Sequence, residues 1–396
     1  MRIHTTSQGE NITDIANLYG VSEENIRNVN NLFGTEPAVG EELLIQVPTR
    51  SYTTVYGDTP ERIALRFGIR KNDIYLLNPW IVGKPLDVGQ KLTLKTGQRK
   101  YGMAVANGYF YNGCDLEKLV RALPFLTYVT FASARATRHG INKTFDDKKD
   151  VMIVSENQKI PLVRVFDEYH DRYKHKENLQ EFADQLIDLA LKGKYKGIVL
   201  DSCMLKDSAE EFSSFLVILR KLMIGCDLIL ITEINESSPP EFSEFADGSV
   251  LYYPKFAMAN PPSFENGERK IMGDFAYLCE SAKTFIDLPS MASAGGEFMS
   301  HNDAINLARR RGYEIKENEN TLLSHFCDRK QGEYKFTSMN GTRAILELIN
   351  EFDYMGVCFD IMRTPLWQLM MYNSMFKTSY YTNVRSREGC SRGGED

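Results

Sequence analysis

A short apolar stretch in the middle of the chain, residues 195–204 with the sequence YKGIVLDSCM, most constrains the fold. Gly197 opens a run of aliphatic residues that ends abruptly at Asp201. An apolar run this short, bounded by turn residues, predicts a parallel strand that is covered on both faces. In barrels of such strands the chemistry lies where the strands end, so we expect Asp201, Ser202 and Cys203 at a functional site.

From Met103 onward, short apolar runs alternate with amphipathic stretches, a pattern typical of βα units. We therefore predict an α/β fold, a (β/α)8 TIM barrel over residues 101–376, and about 275 residues is a usual size for one. The predicted strands are Met103–Tyr109, Tyr128–Ala134, Leu162–Phe166, Gly197–Leu200, Leu228–Glu233, Ser249–Tyr253, Thr284–Leu288 and Gly356–Phe359.

The first hundred residues contain one small unit twice. Gly9 and Asn30 recur 48 positions later as Gly57 and Asn78, together with several apolar positions between them. A fixed period of this kind indicates a tandem domain. Each copy reads as strand, helix, helix, strand. In the second copy, Thr59 or Asp58 can cap the first helix, Gly68 ends it, and Pro79 follows the end of the second helix.

These two copies, residues 2–48 and 50–96, resemble LysM domains, and residues 95–100 form a predicted linker to the barrel. The resemblance implies binding to N-acetylglucosamine-containing glycans such as peptidoglycan, its spore-cortex form or chitin. It places the glycan groove between the turn after the first strand and the loop after the second helix. The implied groove residues are Gly57, Asp58, Thr59, Asn78, Pro79, Trp80 and Ile81 in copy two, and Gly9, Glu10, Asn11, Asn30 and Asn31 in copy one. Trp80 has two open interpretations, a contact for the acetamido methyl group or a filler of the small core.

The barrel resembles family 18 glycoside hydrolases, whose fourth strand carries the signature D-G-x-D-x-D-x-E. Residues 107–109, 301–308 and 355–359 extend the likeness to the LysM-bearing branch of that family, which includes spore-cortex N-acetylglucosaminidases. That branch has an inserted α+β subdomain, which the resemblance places around Ser324–Tyr334.

The signature itself is degenerate. Its four acidic positions fall on Lys196, Val199, Asp201 and Cys203, so only Asp201 is acidic and the proton donor is replaced by Cys203. The sixth-strand tyrosine aligns with Tyr253 without its acidic neighbour, and the tryptophan that floors the sugar site aligns with Asp360.

The family mechanism needs a protein acid beside the substrate's own acetamido group. A thiol with a pKa near 8.5 is a poor donor to a glycosidic oxygen, and loss of general acid catalysis costs about 10²–10⁴-fold. We therefore predict a glycan-binding protein whose barrel acts as a non-catalytic binding or scaffold domain, with no cofactor.

Two alternatives remain open. Strand-end carboxylates could form a relocated hydrolase site, an active N-acetylglucosaminidase using Asp201 and Glu233, or they could simply pair with basic residues such as Arg164. The other carboxylates considered are Asp167, Glu168 and Asp360. Alternatively, Cys203 could be a nucleophile, for which no partner among His170, His301 and His325 can be placed from sequence. A deep cleft with Asp201 and Glu233 together favours the enzyme, and a cleft closed by Lys196, Pro254 and Arg363 favours the scaffold.

The charge, apolar runs and cysteine content of the chain argue against several classes of binding partner. A net charge of −6 and a pI near 5.7 argue against nucleic-acid binding, and no apolar run reaches the roughly 18–20 residues that span a bilayer. The seven scattered cysteines form neither a disulfide framework nor a zinc site, and residues 1–6 lack the apolar core of a signal peptide. We expect synthesis in a cytoplasm, a place in the spore cortex or coat with coat proteins as possible partners, and a disordered tail over residues 377–396.

Overall fold

The computed structural model describes residues 1–97, 101–137, 140–167, 179–201 and 209–379. The first module consists of β1 (Arg2–Thr5), α1 (Ile12–Tyr19), α2 (Glu23–Asn30) and β2 (Glu42–Ile45). The second module repeats this order with β3 (Arg50–Thr53), α3 (Pro60–Phe67), α4 (Lys71–Leu77) and β4 (Lys91–Lys95), and it adds a 3-10 turn at Pro79–Ile81.

In each module two antiparallel strands pack against two short helices around a small apolar core. The helix ends follow from local chemistry. Asn11 and Thr59 accept hydrogen bonds from the first turns of α1 and α3, and Gly20 and Gly68 end these helices in the left-handed region at φ 64° and 65°. The predicted βααβ order is thus confirmed in both copies.

The large domain alternates strands with helices. Its elements are β5 (Met103–Phe110), α5 (Leu116–Ala122), β6 (Tyr128–Thr137), β7 (Gly140–Lys143), α6 (Lys148–Glu156), β8 (Ile160–Asp167), α7 (Leu179–Gly193), β9 (Gly197–Asp201), α8 (Ala209–Gly225), β10 (Ile229–Ile234), α9 (Glu241–Glu244), β11 (Gly248–Leu251), α10 (Lys270–Leu278) and β12 (Thr284–Asp287). An insertion follows with β13 (Met291–Ala294), β14 (Glu297–Ser300), α11 (His301–Arg311), β15 (Lys316–Asn318), β16 (Leu323–Asp328) and β17 (Gly332–Thr337). The last elements of the chain are α12 (Met339–Glu351), β18 (Gly356–Asp360), α13 (Leu366–Met375) and β19 (Lys377–Thr378).

Eight parallel strands close a ring in the order β5, β6, β8, β9, β10, β11, β12 and β18, with β18 pairing back to β5. Apolar side chains fill the ring, among them Leu162, Val199, Ile231 and Phe285, all fully buried. The TIM barrel is confirmed, and its strand ends differ from the predicted ones by at most three residues. The closed ring brings all strand ends to one mouth.

The insertion between β12 and β18 is an antiparallel five-stranded sheet covered by α11. The expected hairpin coincides with β16 and β17, so the inserted α+β subdomain is also confirmed. Among the described residues, no helix combines the length and apolarity needed to cross a membrane. Lys377–Thr378 pair with β5, so regular structure extends into the predicted tail, whose residues 380–396 lie outside the described part of the chain.

The first module is docked on the inserted subdomain. Arg309 of α11 contacts Glu41 through two hydrogen bonds of 3.0 and 2.6 Å, and both side chains are less than 5% exposed. The same guanidinium donates to the carbonyls of Asn31 and Asn30 at 3.0 and 3.1 Å. Gly40 lies so close that an added Cβ would sit 1.9 Å from the Ile315 carbonyl oxygen. This interface is therefore closely packed.

Glu42 forms a second contact at this interface. Its carboxylate accepts hydrogen bonds from the Met339 N–H at 2.6 Å and from the Asn340 side chain at 2.7 Å, where α12 begins. Burial, followed by the charge of Glu317, raises the pKa of Glu42 from 4.5 to about 7, although Arg343 and the two backbone N–H groups oppose the shift. A proton is thus held at the interface near neutral pH.

We expect this carboxyl group to make stability depend on pH. Because the folded pKa of Glu42 is raised, the folded state binds a proton that the unfolded chain releases, so the free energy of unfolding falls as pH rises from about 4.5 to 7. At 1.36 kcal/mol per pKa unit the loss approaches about 3 kcal/mol. In the parent, the free energy of unfolding measured with denaturant should be lower at pH 8 than at pH 5. In Glu42→Gln this difference should be smaller by roughly 3 kcal/mol. The exposed Glu24→Gln serves as control, and an unchanged difference in Glu42→Gln would contradict the expectation.

Candidate functional site

The carboxyl ends of the barrel strands surround an open cavity of about 400 Å³. Its charged lining comes from several strands, as expected for a barrel mouth, and three tyrosines add aromatic surface. The charged residues are Arg164, Asp201, Glu233, Asp287, Asp360 and Arg363, and the tyrosines are Tyr109, Tyr111 and Tyr252.

Arg164 of β8 binds both predicted carboxylates. Its Nε lies 2.7 and 2.9 Å from the two oxygens of Glu233, and its Nη2 lies 2.6 Å from Glu233 Oε2 and 2.9 Å from Asp201 Oδ2. The neighbouring strands β9 and β10 hold Asp201 and Glu233 directly opposite each other. The Tyr109 hydroxyl donates a further hydrogen bond of 2.8 Å to Glu233. The structure thus brings Asp201 and Glu233 together around a shared guanidinium.

This arrangement favours the charged form of Arg164. Burial opposes the charged guanidinium, but Glu233 and then Asp201 outweigh burial and raise the pKa of Arg164 well above its usual value. Burial, and next the charge of Glu233, also raises the pKa of Tyr109. Asp201 and Glu233 both accept hydrogen bonds from the Arg164 guanidinium, so the oxygens that face it act as acceptors.

Asp287, at the end of β12, is a cavity residue that the sequence analysis missed. Burial, and then the negative charges of Asp360 and Glu233, raise the pKa of its carboxyl group well above the usual range. A carboxyl group whose pKa is raised in this way is a better proton donor than an ordinary aspartate. The available signal was its position directly after the run Thr284-Phe285-Ile286, which repeats the relation of Asp201 to residues 198–200.

The floor and the sixth strand differ from the family pattern. Asp360 accepts from the backbone N–H groups of Met362 and Arg363 and pairs with the Arg363 guanidinium at 2.7 Å, so it organises the turn after β18. Tyr252 lines the cavity, whereas the Tyr253 hydroxyl lies 4.0 Å from Met258 Sδ and Tyr253 is absent from the lining. Val250 faces the interior of the barrel, and side chains alternate along a strand. Tyr252, two residues later, is therefore on the same side as Val250, and Tyr253 is on the other. Tyr252 therefore takes the position in this cavity, and a role for Tyr253 stays a prediction.

The remaining candidates separate into two groups. Cys203, Glu168 and His170 lie outside the described residues, as does the side chain of Asp167 at the end of β8. His301 packs against Phe336 and Trp367 with ring centroids at 4.7 and 5.4 Å, and burial lowers its pKa to about 4. Lys196 and Pro254, which we expected to close the cleft together with Arg363, do not belong to the cavity lining.

Several predicted groove residues have structural roles within the modules. The Asn78 amide donates to the carbonyls of Ile74 and Thr93 and accepts from the Thr93 N–H at 2.7–2.9 Å. Asn30 makes the equivalent three bonds in the first module. Both side chains are buried, so they connect helix to strand rather than reach a ligand.

The turns after β1 and β3 are organised in the same local way. Glu10 pairs with His4 at 2.9 Å, Asn11 caps α1, and Asp58 accepts from the Tyr52 hydroxyl and the Val55 N–H at 2.8 Å. Thr59 caps α3. Gly9 and Gly57 both adopt φ 81°, which glycine permits.

Comparisons with known proteins agree with this architecture. Residues 4–46 and 52–95 each match the family model of the LysM domain. The spore cortex-lytic enzyme SleL of Bacillus megaterium superposes with a TM-score of 0.73 at 17% identity, covering 96% of this chain and 99% of that one. A family 18 chitinase of Cycas revoluta superposes with a TM-score of 0.59 at 11% identity, covering 68% of this chain and 99% of that one.

The chain carries two LysM domains and a TIM barrel of the family 18 fold. A region of 94 residues is also 34% identical to YdhD, a candidate sporulation-specific glycosylase of Bacillus subtilis. That match covers 24% of this chain and 22% of the relative, so the chain spans about a fifth of that relative's length.

The two LysM domains differ in how their loops are used. In the first, the carbonyls of Asn30 and Asn31 accept from Arg309, which occupies part of the loop expected to face a glycan. In the second, Trp80 is half-buried and packs on both the LysM core and the barrel core, while Pro79 and Ile81 are buried. Both interpretations of Trp80 therefore retain a basis, since part of its indole remains accessible.

Proposed function

We propose that this chain binds an N-acetylglucosamine-containing cell-wall glycan through its LysM domains. Peptidoglycan of a spore cortex or coat is the polymer that fits the names of the similar proteins, SleL and YdhD. The observation that carries this proposal is the match of residues 4–46 and 52–95 to the LysM domain. We further propose that the barrel is a non-catalytic binding domain, which the Arg164 cluster supports because its guanidinium donates hydrogen bonds to both Asp201 and Glu233. Such a barrel can bind hydroxyl-rich ligands without supplying the family acid from these two residues.

The second LysM domain is assigned the main glycan contact, because part of the first domain's loop is taken by Arg309. The chain contains two tryptophans, the half-buried Trp80 and the buried Trp367. We expect soluble N-acetylglucosamine oligomers to change the fluorescence of the parent and of Trp367→Phe, and to leave that of Trp80→Phe unchanged. Retention on insoluble peptidoglycan provides the second measurement. A parent that neither responds to oligomers nor binds the polymer would exclude the proposed function.

A second candidate function, glycoside hydrolysis, is favoured by the open cavity, whose lining contains Asp201 and Glu233 together and neither Lys196 nor Pro254. Asp287 adds a third carboxyl group to the same lining, and burial, followed by the charges of Asp360 and Glu233, raises its pKa. The reaction would use Asp287 as the proton donor to the leaving oxygen.

Turnover of peptidoglycan and of a fluorogenic chitobioside decides between the two functions. The binding proposal predicts no turnover above background. Clear turnover that falls by about 10²-fold or more in Asp287→Asn would establish the hydrolase instead. The exposed Asp274→Asn on α10 is the matched control and should leave any turnover unchanged. Placement in a spore layer and contact with coat proteins belong to the same proposal and are tested by locating the protein in fractionated spores.

A further inference from the structure

A cationic cleft lies between the second LysM domain and the carboxyl-terminal part of the barrel domain. It has a volume of about 560 Å³ and an apolar floor that includes Ile69, Leu77 and Leu94. The charged residues on its walls are Arg50, Arg70, Lys95, Lys377 and Asp73. Arg70 pairs with Asp73 at 2.7 Å, which leaves an excess of three positive charges in a chain whose net charge is −6.

Two of these cations face each other, and no carboxylate of the described part of the chain pairs with either. Arg50 and Lys95 are direct partners across the antiparallel strands β3 and β4. Within the described ranges, no carboxylate lies within ion-pair distance of Arg50, Lys95 or Lys377. Like charges directly opposite each other destabilise a strand pair, so this arrangement costs free energy unless an anion joins it.

Arg50 is also held in position for an anion. Its guanidinium carbon lies 4.6 Å from the centre of the Phe67 ring, which supports the planar group by cation–π contact. A guanidinium stacked on a ring keeps its N–H edge free and loses little freedom when it binds a carboxylate in a forked geometry.

We propose that this cleft binds the carboxylates of the short peptides attached to the glycan of peptidoglycan. The inference rests on the proposed function, because it requires a glycan bound to the second LysM domain. Gly57 and Pro60 are at the start of α3, and Phe67 is at its end. Eight helical residues span about 12 Å, and an extended peptide of four residues reaches about 13 Å. A peptide attached near the groove can therefore reach the cleft.

The test uses the full chain with Arg50→Gln, Lys95→Gln and Lys377→Gln combined. A second triple variant, Lys192→Gln, Lys270→Gln and Lys316→Gln, changes the net charge equally at exposed positions on other elements. The probes are soluble peptidoglycan fragments with free carboxylates, the same fragments with amidated carboxylates, and peptide-free N-acetylglucosamine oligomers.

We expect the cleft variant to bind the free-carboxylate fragments about tenfold more weakly than the parent, as three exposed charge contacts allow. The control variant should bind like the parent, and amidated fragments should bind parent and cleft variant equally. Equal affinity of the parent and the cleft variant for free-carboxylate fragments would overturn the proposal. Tighter binding of poly(glycerol phosphate) than of the fragments to the cleft would also overturn it.

A second measurement needs no variant. Binding of the parent to free-carboxylate fragments should weaken at high salt, while binding to peptide-free oligomers should not, because salt screens exposed charges. If the parent did not bind the peptide-free oligomers at all, that result would contradict the proposed function itself. The two failures are therefore distinguishable.

Discussion

Replacing Arg164 with methionine is expected to lower the free energy of unfolding by roughly 3–5 kcal/mol, because two partly buried carboxylates lose their shared cation. Asp201 and Glu233 face each other on adjacent strands, and both are mostly buried. Without the guanidinium they would repel each other across the mouth of the barrel. Chemical unfolding followed by circular dichroism measures the effect.

The matched control neutralises the whole cluster. Because a buried ionic group can often be exchanged for neutral residues at little cost, the triple variant Arg164→Met, Asp201→Asn, Glu233→Gln should recover most of the lost stability. A loss below about 1 kcal/mol in Arg164→Met alone would show that the cluster is well solvated, and it would remove the main structural support for a non-catalytic mouth.

Replacing Arg309 with methionine is expected to cost roughly 3–5 kcal/mol as well, and to release the first LysM domain from the barrel. The substitution leaves Glu41 buried without its cation and frees the carbonyls of Asn30 and Asn31. Hydrogen exchange should rise in residues 1–46 before it rises in the barrel, since the interface opens first.

Two further variants define the origin of that effect. Arg310→Met changes an exposed arginine of the same helix and should leave exchange and stability nearly unchanged. Combining Glu41→Gln with Arg309→Met should be less harmful than the sum of the single changes, because the uncompensated charge disappears. Additive losses would indicate that packing, rather than the ion pair, holds the domain in place.

The barrel could be predicted because each strand is a short apolar run with turn residues on both sides, a local property of the chain. The site could be predicted only in part. Asp201 and Glu233 follow from their strand ends, and Arg164 was one expected type of partner, but no sequence rule places one guanidinium against both carboxylates. That geometry depends on the closure of the ring, which joins residues far apart in the chain.

Smaller errors have equally physical causes. Tyr253 was chosen where Tyr252 lines the cavity, because a shift of one residue turns a strand side chain to the other face. Asp287 was missed because the predicted strand continued through Leu288, whereas the observed strand ends at Asp287 itself. The raised pKa of Asp287 depends on Asp360 and Glu233 from other strands, so it has no local signature.

The docked first LysM domain has a consequence for where the protein can act. A module on a loose linker could enter a narrow pore of a cross-linked polymer while its barrel stays outside. Here Arg309 and Gly40 hold the module against the inserted subdomain of the barrel, so the module and the barrel must reach the polymer together. A compact chain of this length has a radius of gyration of about 21 Å. The mesh size of the polymer, as well as its chemistry, therefore determines which layers of a wall this protein can enter.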